Sequence, residues 1–132
     1  MKNQIYYISD TQKNSLIAEL KTNTENHIAI IDGQNTQTWE DYLQQVRKVY
    51  KFPTVESVFD GYRDWMQDLS WLNKETFSLF ITNFNLFMCK EPINKKIVMD
   101  LFLEAILPWW EKDVELYCAD GKTKPFNVYL ID

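Results

Sequence analysis

The sequence predicts an α/β protein. A small, mainly parallel, three-stranded sheet is packed by helices in a two-layer or three-layer arrangement, with an N-terminal strand or hairpin ahead of it. Two observations predict this class. Apolar runs of strand length lie at 27–32, 76–84 and 126–131. Stretches with helical apolar spacing fill the gaps between them, two in the first gap and one in the second. Crossovers through helices give parallel neighbours and right-handed connections.

Residues 3–9 alternate weakly and are rich in Ile and Tyr, which reads as a strand. Asp10 to Asn14 reads as a turn. In Ser15 to Lys21, Leu16, Ala18 and Leu20 fit a period of two, while Leu16, Ile17 and Leu20 fit a helix. The hairpin is the favoured reading there. Residues 1–26 are thus an N-terminal extension, and residues 27–132 form the main domain.

His27 to Asp32 reads HIAIID and ends at Asp32-Gly33, as a buried parallel strand does. His27 is the only histidine and sits at a strand edge, which suits a surface residue better than a catalyst. Thr38 opens a helix in a near capping box, with Asp41 in the place of Glu or Gln. Trp39, Tyr42, Leu43, Val46, Val49 and Tyr50 form its apolar face. It stops near Lys51, because Phe52 precedes Pro53 and a pre-proline residue avoids the α region.

The next segment places Glu56, Asp60, Asp64 and Asp68 four residues apart, which on one helix puts all of them on one face. Phe59, Tyr62, Met66 and Leu69 form the opposite, apolar face. Like charges at this spacing destabilise an isolated helix by roughly 0.2–0.5 kcal/mol per pair. Arg63 relieves part of the repulsion by pairing with Asp60. Such a face often serves solvation alone, and it also suits a basic partner. Gly61 either allows close approach by a neighbouring chain or is simply tolerated, at about 1 kcal/mol relative to Ala.

Thr76 to Phe84 is apolar toward both faces and reads as a central strand. A helix follows from about Asn94, with Val98, Leu101, Phe102, Ala105, Ile106 and Trp109 as its stripe. Pro108 removes a helical donor and presses on the carbonyl of Glu104, so a bend or an end is expected there. One of Trp109 and Trp110 should face the core. Trp71 is a candidate contact residue, although packing into the core is the commoner fate of a tryptophan. Phe126 to Ile131 is the last strand.

Composition narrows the function. Hydrophobic residues make up 45% and aromatics 15% of 132 residues, which fits one folded domain. A net charge of −5 argues against nucleic acid as a direct ligand and favours a basic protein. The two cysteines, Cys89 and Cys118, form no CxxC, and with a single histidine no zinc site is expected. No cofactor is expected either. No apolar h-region follows the N-terminus, and no stretch nears the ~20 residues of a membrane span. These features suggest a cytoplasmic protein with reduced thiols.

Across about residues 28 to 131 the chain resembles the barstar family of ribonuclease inhibitors. IAIIDG with the helix ending at Phe52-Pro53 resembles the family's strand, glycine turn and first helix. DGYRDWMQDL at 60–69 resembles its second helix, TFSLFITN its central strand, LFLEAIL at 101–107 its last helix, and PFNVYLID its final strand. The ordered set carries the resemblance rather than any single motif.

The resemblance implies a barstar-like fold and a stoichiometric inhibitor, an immunity protein or antitoxin, that plugs the active site of a basic nuclease toxin. It implies no enzyme activity of its own. Asp60 and Asp64 match the family's helix aspartates, and Glu104 matches an acidic residue on its last helix. Glu56, Arg63, Asp68 and Glu104 would surround them, and the free protein is expected to be a monomer. The loop Thr54-Val55-Glu56-Ser57 departs from the family pattern, and Arg63 replaces an aromatic residue. These departures admit a toxin other than barnase. They also leave open a barstar-like binding module with a non-nuclease partner. An enzyme built on paired carboxylates would need a pocket and a nucleophile–base pair that the sequence does not offer.

Overall fold

The computed structural model describes residues 1–132. In chain order its elements are β1 (Ile5–Tyr7), α1 (Asp10–Leu20), β2 (Asn26–Asp32), α2 (Trp39–Val49), α3 (Phe59–Met66), β3 (Thr76–Thr82), α4 (Pro92–Leu101), α5 (Val114–Tyr117) and β4 (Phe126–Leu130). The sheet has four strands in the order β1-β4-β3-β2, and every neighbouring pair is parallel. The β-α-α-β-α-β order and the α/β class read from the sequence are present. The sheet gains a strand over the three expected, because β1 pairs with β4 and covers an edge that would otherwise be open.

The N-terminal hairpin is corrected to a strand and a helix. Ser9 Oγ accepts from Gln12 N–H at 3.1 Å while Gln12 Oε1 accepts from Ser9 N–H at 2.8 Å, a reciprocal capping box that starts α1. Ile17 then packs with Phe80 of β3 and Ile131, flanked by Leu16, Leu20, Ile28 and Tyr129. This small cluster covers one face of the sheet. The other face meets the main core, where Ala29, Ile31, Phe77, Leu79, Ile81, Phe126, Val128 and Leu130 pack against α2, α3 and the long C-terminal helix. The arrangement is therefore three-layered. β3 is buried toward both layers, as a central parallel strand must be. Each large side chain so buried contributes roughly 1.5–3 kcal/mol.

Asn3 fastens the extension to the rest. Its amide donates to the carbonyls of Leu107 and Lys124, at 3.1 and 3.2 Å, and its Oδ1 accepts from Phe126 N–H at 3.0 Å.

Pro108 does not end its helix. The chain stays helical from Pro92 to Tyr117, through wide i→i−5 turns at Phe102–Ile106 and Trp109–Asp113. Leu107 N–H donates to the Phe102 carbonyl, so the backbone has already left the i→i−4 pattern where the proline ring would interfere. Of the tryptophan pair, Trp110 is buried and donates to the Met66 carbonyl at 2.9 Å.

Candidate partner-binding surface

Pro53 and the extended segment after it delay the helical start to Phe59, and Val58 caps it with no side-chain hydrogen bond. The acidic ladder of the sequence is corrected accordingly. Only Asp60 and Asp64 lie on α3; Glu56 precedes it in the loop, and Asp68 follows it in the turn leading to Leu69, whose φ is 53°.

The inner side of α3 is held firmly. Tyr62 and Met66 are buried. The hydroxyls of Tyr62 and Tyr42 share a buried hydrogen bond of 2.6 Å, and burial pushes both well above the usual phenol range. Phe59 stacks at a tilt on Trp39, ring centroids 4.2 Å apart. Trp39 Nε1 donates to the Ser57 carbonyl at 3.1 Å, fixing the entry loop, and Trp110 fixes the exit at Met66. The helix is thus clamped at both ends and along its inner face.

The outer side carries the charges. The Asp60 side chain is 87% exposed and that of Asp64 71%. Arg63, 41% exposed, lies between them, with Nη2 at 3.9 Å from an oxygen of each. These separations exceed hydrogen-bond length, and exposed pairs of this kind contribute about 0–1 kcal/mol. Both carboxylates therefore keep their capacity to accept strong hydrogen bonds.

Glu56 is placed differently. Its Oε1 accepts from Thr54 Oγ1 at 2.8 Å and from Trp65 Nε1 at 3.0 Å, and its chain lies over Gly61. The close approach at Gly61 is thus made by a side chain of the same protein and not by a neighbouring chain. Glu56, Gly61, Asp64, Trp65 and Asp68 line an open depression of about 390 Å³, so the ladder residues 56, 64 and 68 do meet. Asp68 Oδ1 also accepts from Ser70 N–H at 3.2 Å.

Glu104 is exposed on the Phe102–Ile106 turn, which packs against α3; Gln67 Nε2 donates to the neighbouring Ala105 carbonyl at 3.3 Å. The Glu104 side chain makes no hydrogen bond or ion pair within the chain. Trp71 is half-buried, donates to the Tyr50 carbonyl at 2.8 Å and meets Trp65 edge-on. Sequence reasoning missed Val55 and Val58, which stand exposed on the entry loop beside α3. Their position after Pro53, outside the helical period, was the available signal.

The family model described as barstar (barnase inhibitor) matches residues 26–121. The chain belongs to the barstar family. No individual curated protein and no solved structure matches it. Within this barstar-family chain, the match begins at β2 and takes in α2, the entry loop, α3, β3 and the long helix. It leaves β1, α1 and β4 outside. The description names inhibition of barnase, so the family consists of inhibitors of a nuclease rather than enzymes. No helix of the chain is long and apolar enough to cross a membrane.

Proposed function

We propose that this barstar-family protein inhibits a basic ribonuclease, or a related nuclease toxin, by presenting Asp60 and Asp64 where substrate phosphates would bind. The observation that carries the reading is the pair of exposed, hydrogen-bond-free carboxylates on a helix whose other side is clamped. A rigid scaffold loses little conformational freedom on binding, so more of each charge-assisted bond is retained as affinity. Glu56, Asp68 and Glu104 extend the negative field, and the net charge of −5 steers a basic enzyme toward it. Trp71, half-buried and edge-on to Trp65, is a further candidate contact beside these charges.

The protein acts as a cytoplasmic immunity protein, or antitoxin, and as a monomer before it meets its toxin. Residues 27–132 carry the binding function, while residues 1–26 complete the sheet. The chain takes part in no chemical step; occupancy of the active site is the whole mechanism.

Titration of a barnase-type ribonuclease tests this. Inhibition should be stoichiometric, should weaken as salt rises, and should fall on Asp64→Ala mainly through faster dissociation. Losing one partner of a buried charge pair costs about 2–5 kcal/mol, a range drawn in part from the barnase–barstar complex itself. Unchanged inhibition by the Asp60→Ala/Asp64→Ala variant would remove this face from the account. A partner bound with no effect on its nuclease activity would instead favour the binding-module reading that the altered entry loop motivates.

A further inference from the structure

Arg63 stands at the centre of the acidic face with most of its hydrogen-bonding capacity unused. Only Nη2 approaches the aspartates, at 3.9 Å from each, and the guanidinium makes no hydrogen bond within the chain. Its planar fork of donors is therefore free along one edge. The exposed charges across the middle of α3 run negative, positive, negative. A surface complementary to that order runs positive, negative, positive.

We infer that the partner seats an acidic side chain on Arg63, flanked by the cations that take Asp60 and Asp64. This rests on the reading of the face given above and specifies the kind of nuclease that fits it. Cleaving RNA through its 2′-hydroxyl requires a general base beside cations that hold the phosphate, and a carboxylate can be that base. An Arg fork pairs with a carboxylate through two parallel hydrogen bonds, whereas a point charge cannot. Glu56 stands outside the trio, in the loop before α3, where Thr54 and Trp65 hold its Oε1. Val55, 76% exposed, and Val58, 58% exposed, supply an apolar rim beside the charges.

The inference has a sign that simple electrostatics does not share. If Arg63 merely screens the aspartates, Arg63→Ala leaves a more negative face and tightens binding to a basic enzyme. If it pairs with a carboxylate, the same change weakens binding. The test titrates wild type, Arg63→Ala, Arg63→Lys and Asp60→Asn/Asp64→Asn against a barnase-type ribonuclease whose general base is a carboxylate. The same enzyme with that carboxylate changed to its amide serves as the second titrant.

Arg63→Ala should raise Kd by about tenfold or more on the unmodified enzyme and far less on the amide enzyme. Arg63→Lys should fall between, because it keeps the charge and loses the fork. Urea midpoints of the Arg63 variants should stay near wild type, since the side chain is partly exposed and makes no hydrogen bond within the chain. Tighter or unchanged binding by Arg63→Ala, with binding still lost in the aspartate variant, would overturn the inference and leave the function standing. Wild-type binding by the aspartate variant would overturn both.

Discussion

Glu56 lies where residue 61 would carry a side chain. A Cβ at Gly61 would collide with Oε2 of Glu56 and stand 2.8 Å from its Cδ. The glycine thus lets a loop carboxylate lie along α3, where the Trp65 indole and the Thr54 hydroxyl hold it. It links the entry loop to the helix that bears Asp60 and Asp64.

Gly61→Ala should therefore loosen the loop without unfolding the protein. Alanine gains about 1 kcal/mol of helix propensity, and this offsets exposed hydrogen bonds contributing about 0.5–1.5 kcal/mol each. Stability should fall by no more than about 2 kcal/mol on that balance. The Trp65 indole N–H resonance should move, and amide exchange across Thr54–Ser57 should speed up. An unchanged indole resonance would contradict the latch.

The Tyr42–Tyr62 hydroxyl pair predicts a non-additive cycle. Tyr42→Phe leaves the Tyr62 hydroxyl buried without its partner and should cost about 1–3 kcal/mol. Tyr42→Phe/Tyr62→Phe removes both polar groups and should cost less than the sum of the single changes. Urea unfolding of the four proteins measures it. Additive losses would mean the bond contributes nothing that depends on the pair.

His27 predicts a loss of stability on the acid side. Burial lowers its pKa from the ordinary 6.5, opposed by its hydrogen bond to the Val49 carbonyl at 3.1 Å and aided by Lys74 and Lys51. The ring lies against Tyr50 and Phe77, so no carboxylate compensates the charged form. Between the folded and unfolded pKa values the unfolded chain binds more protons. The His27 contribution is complete above pH 6.5 and is lost as pH falls through the lower, folded value. A His27→Gln variant should show a flatter stability profile below pH 6.5 than wild type. Identical profiles would contradict this.

Most of the fold was legible because local signals agreed. Thr38 capped α2 as read, the two-sided apolar run at β3 marked a central strand, and Pro53 stopped the helix ahead of it. The misread element, α1, had conflicting apolar periods, yet Ser9-Asp10-Thr11-Gln12 already spelled the capping box that starts it. Of the bend or end expected at Pro108, the end does not occur, because a widened helical turn, invisible in the sequence, accommodates the ring. At the surface, spacing of four could not show that α3 is only Phe59–Met66, with Glu56 before its start and Asp68 beyond its end. Nor could it show that Glu56 turns back onto Gly61.

Asn3 predicts how far the extension supports the rest. Asn3→Ala removes three side-chain hydrogen bonds, to the backbone of Leu107, Lys124 and Phe126, and leaves buried groups unpaired. A loss of about 1–3 kcal/mol is expected from thermal or urea unfolding. A neutral result would mean that the strand pairing of β1 and the backbone bonds of Asn3 and Gln4 to Glu111 and Asn127 hold the extension without the Asn3 side chain.

The central claim is that Asp60 and Asp64 hold a basic nuclease. The most direct measurement is affinity capture from the lysate of the organism that makes the protein, with mass spectrometry of what is retained. Wild type and Asp60→Ala/Asp64→Ala serve side by side as baits. The account predicts a small basic nuclease retained by the wild type and lost from the variant. Equal retention by both baits, or retention of a protein that is not a nuclease, would contradict it.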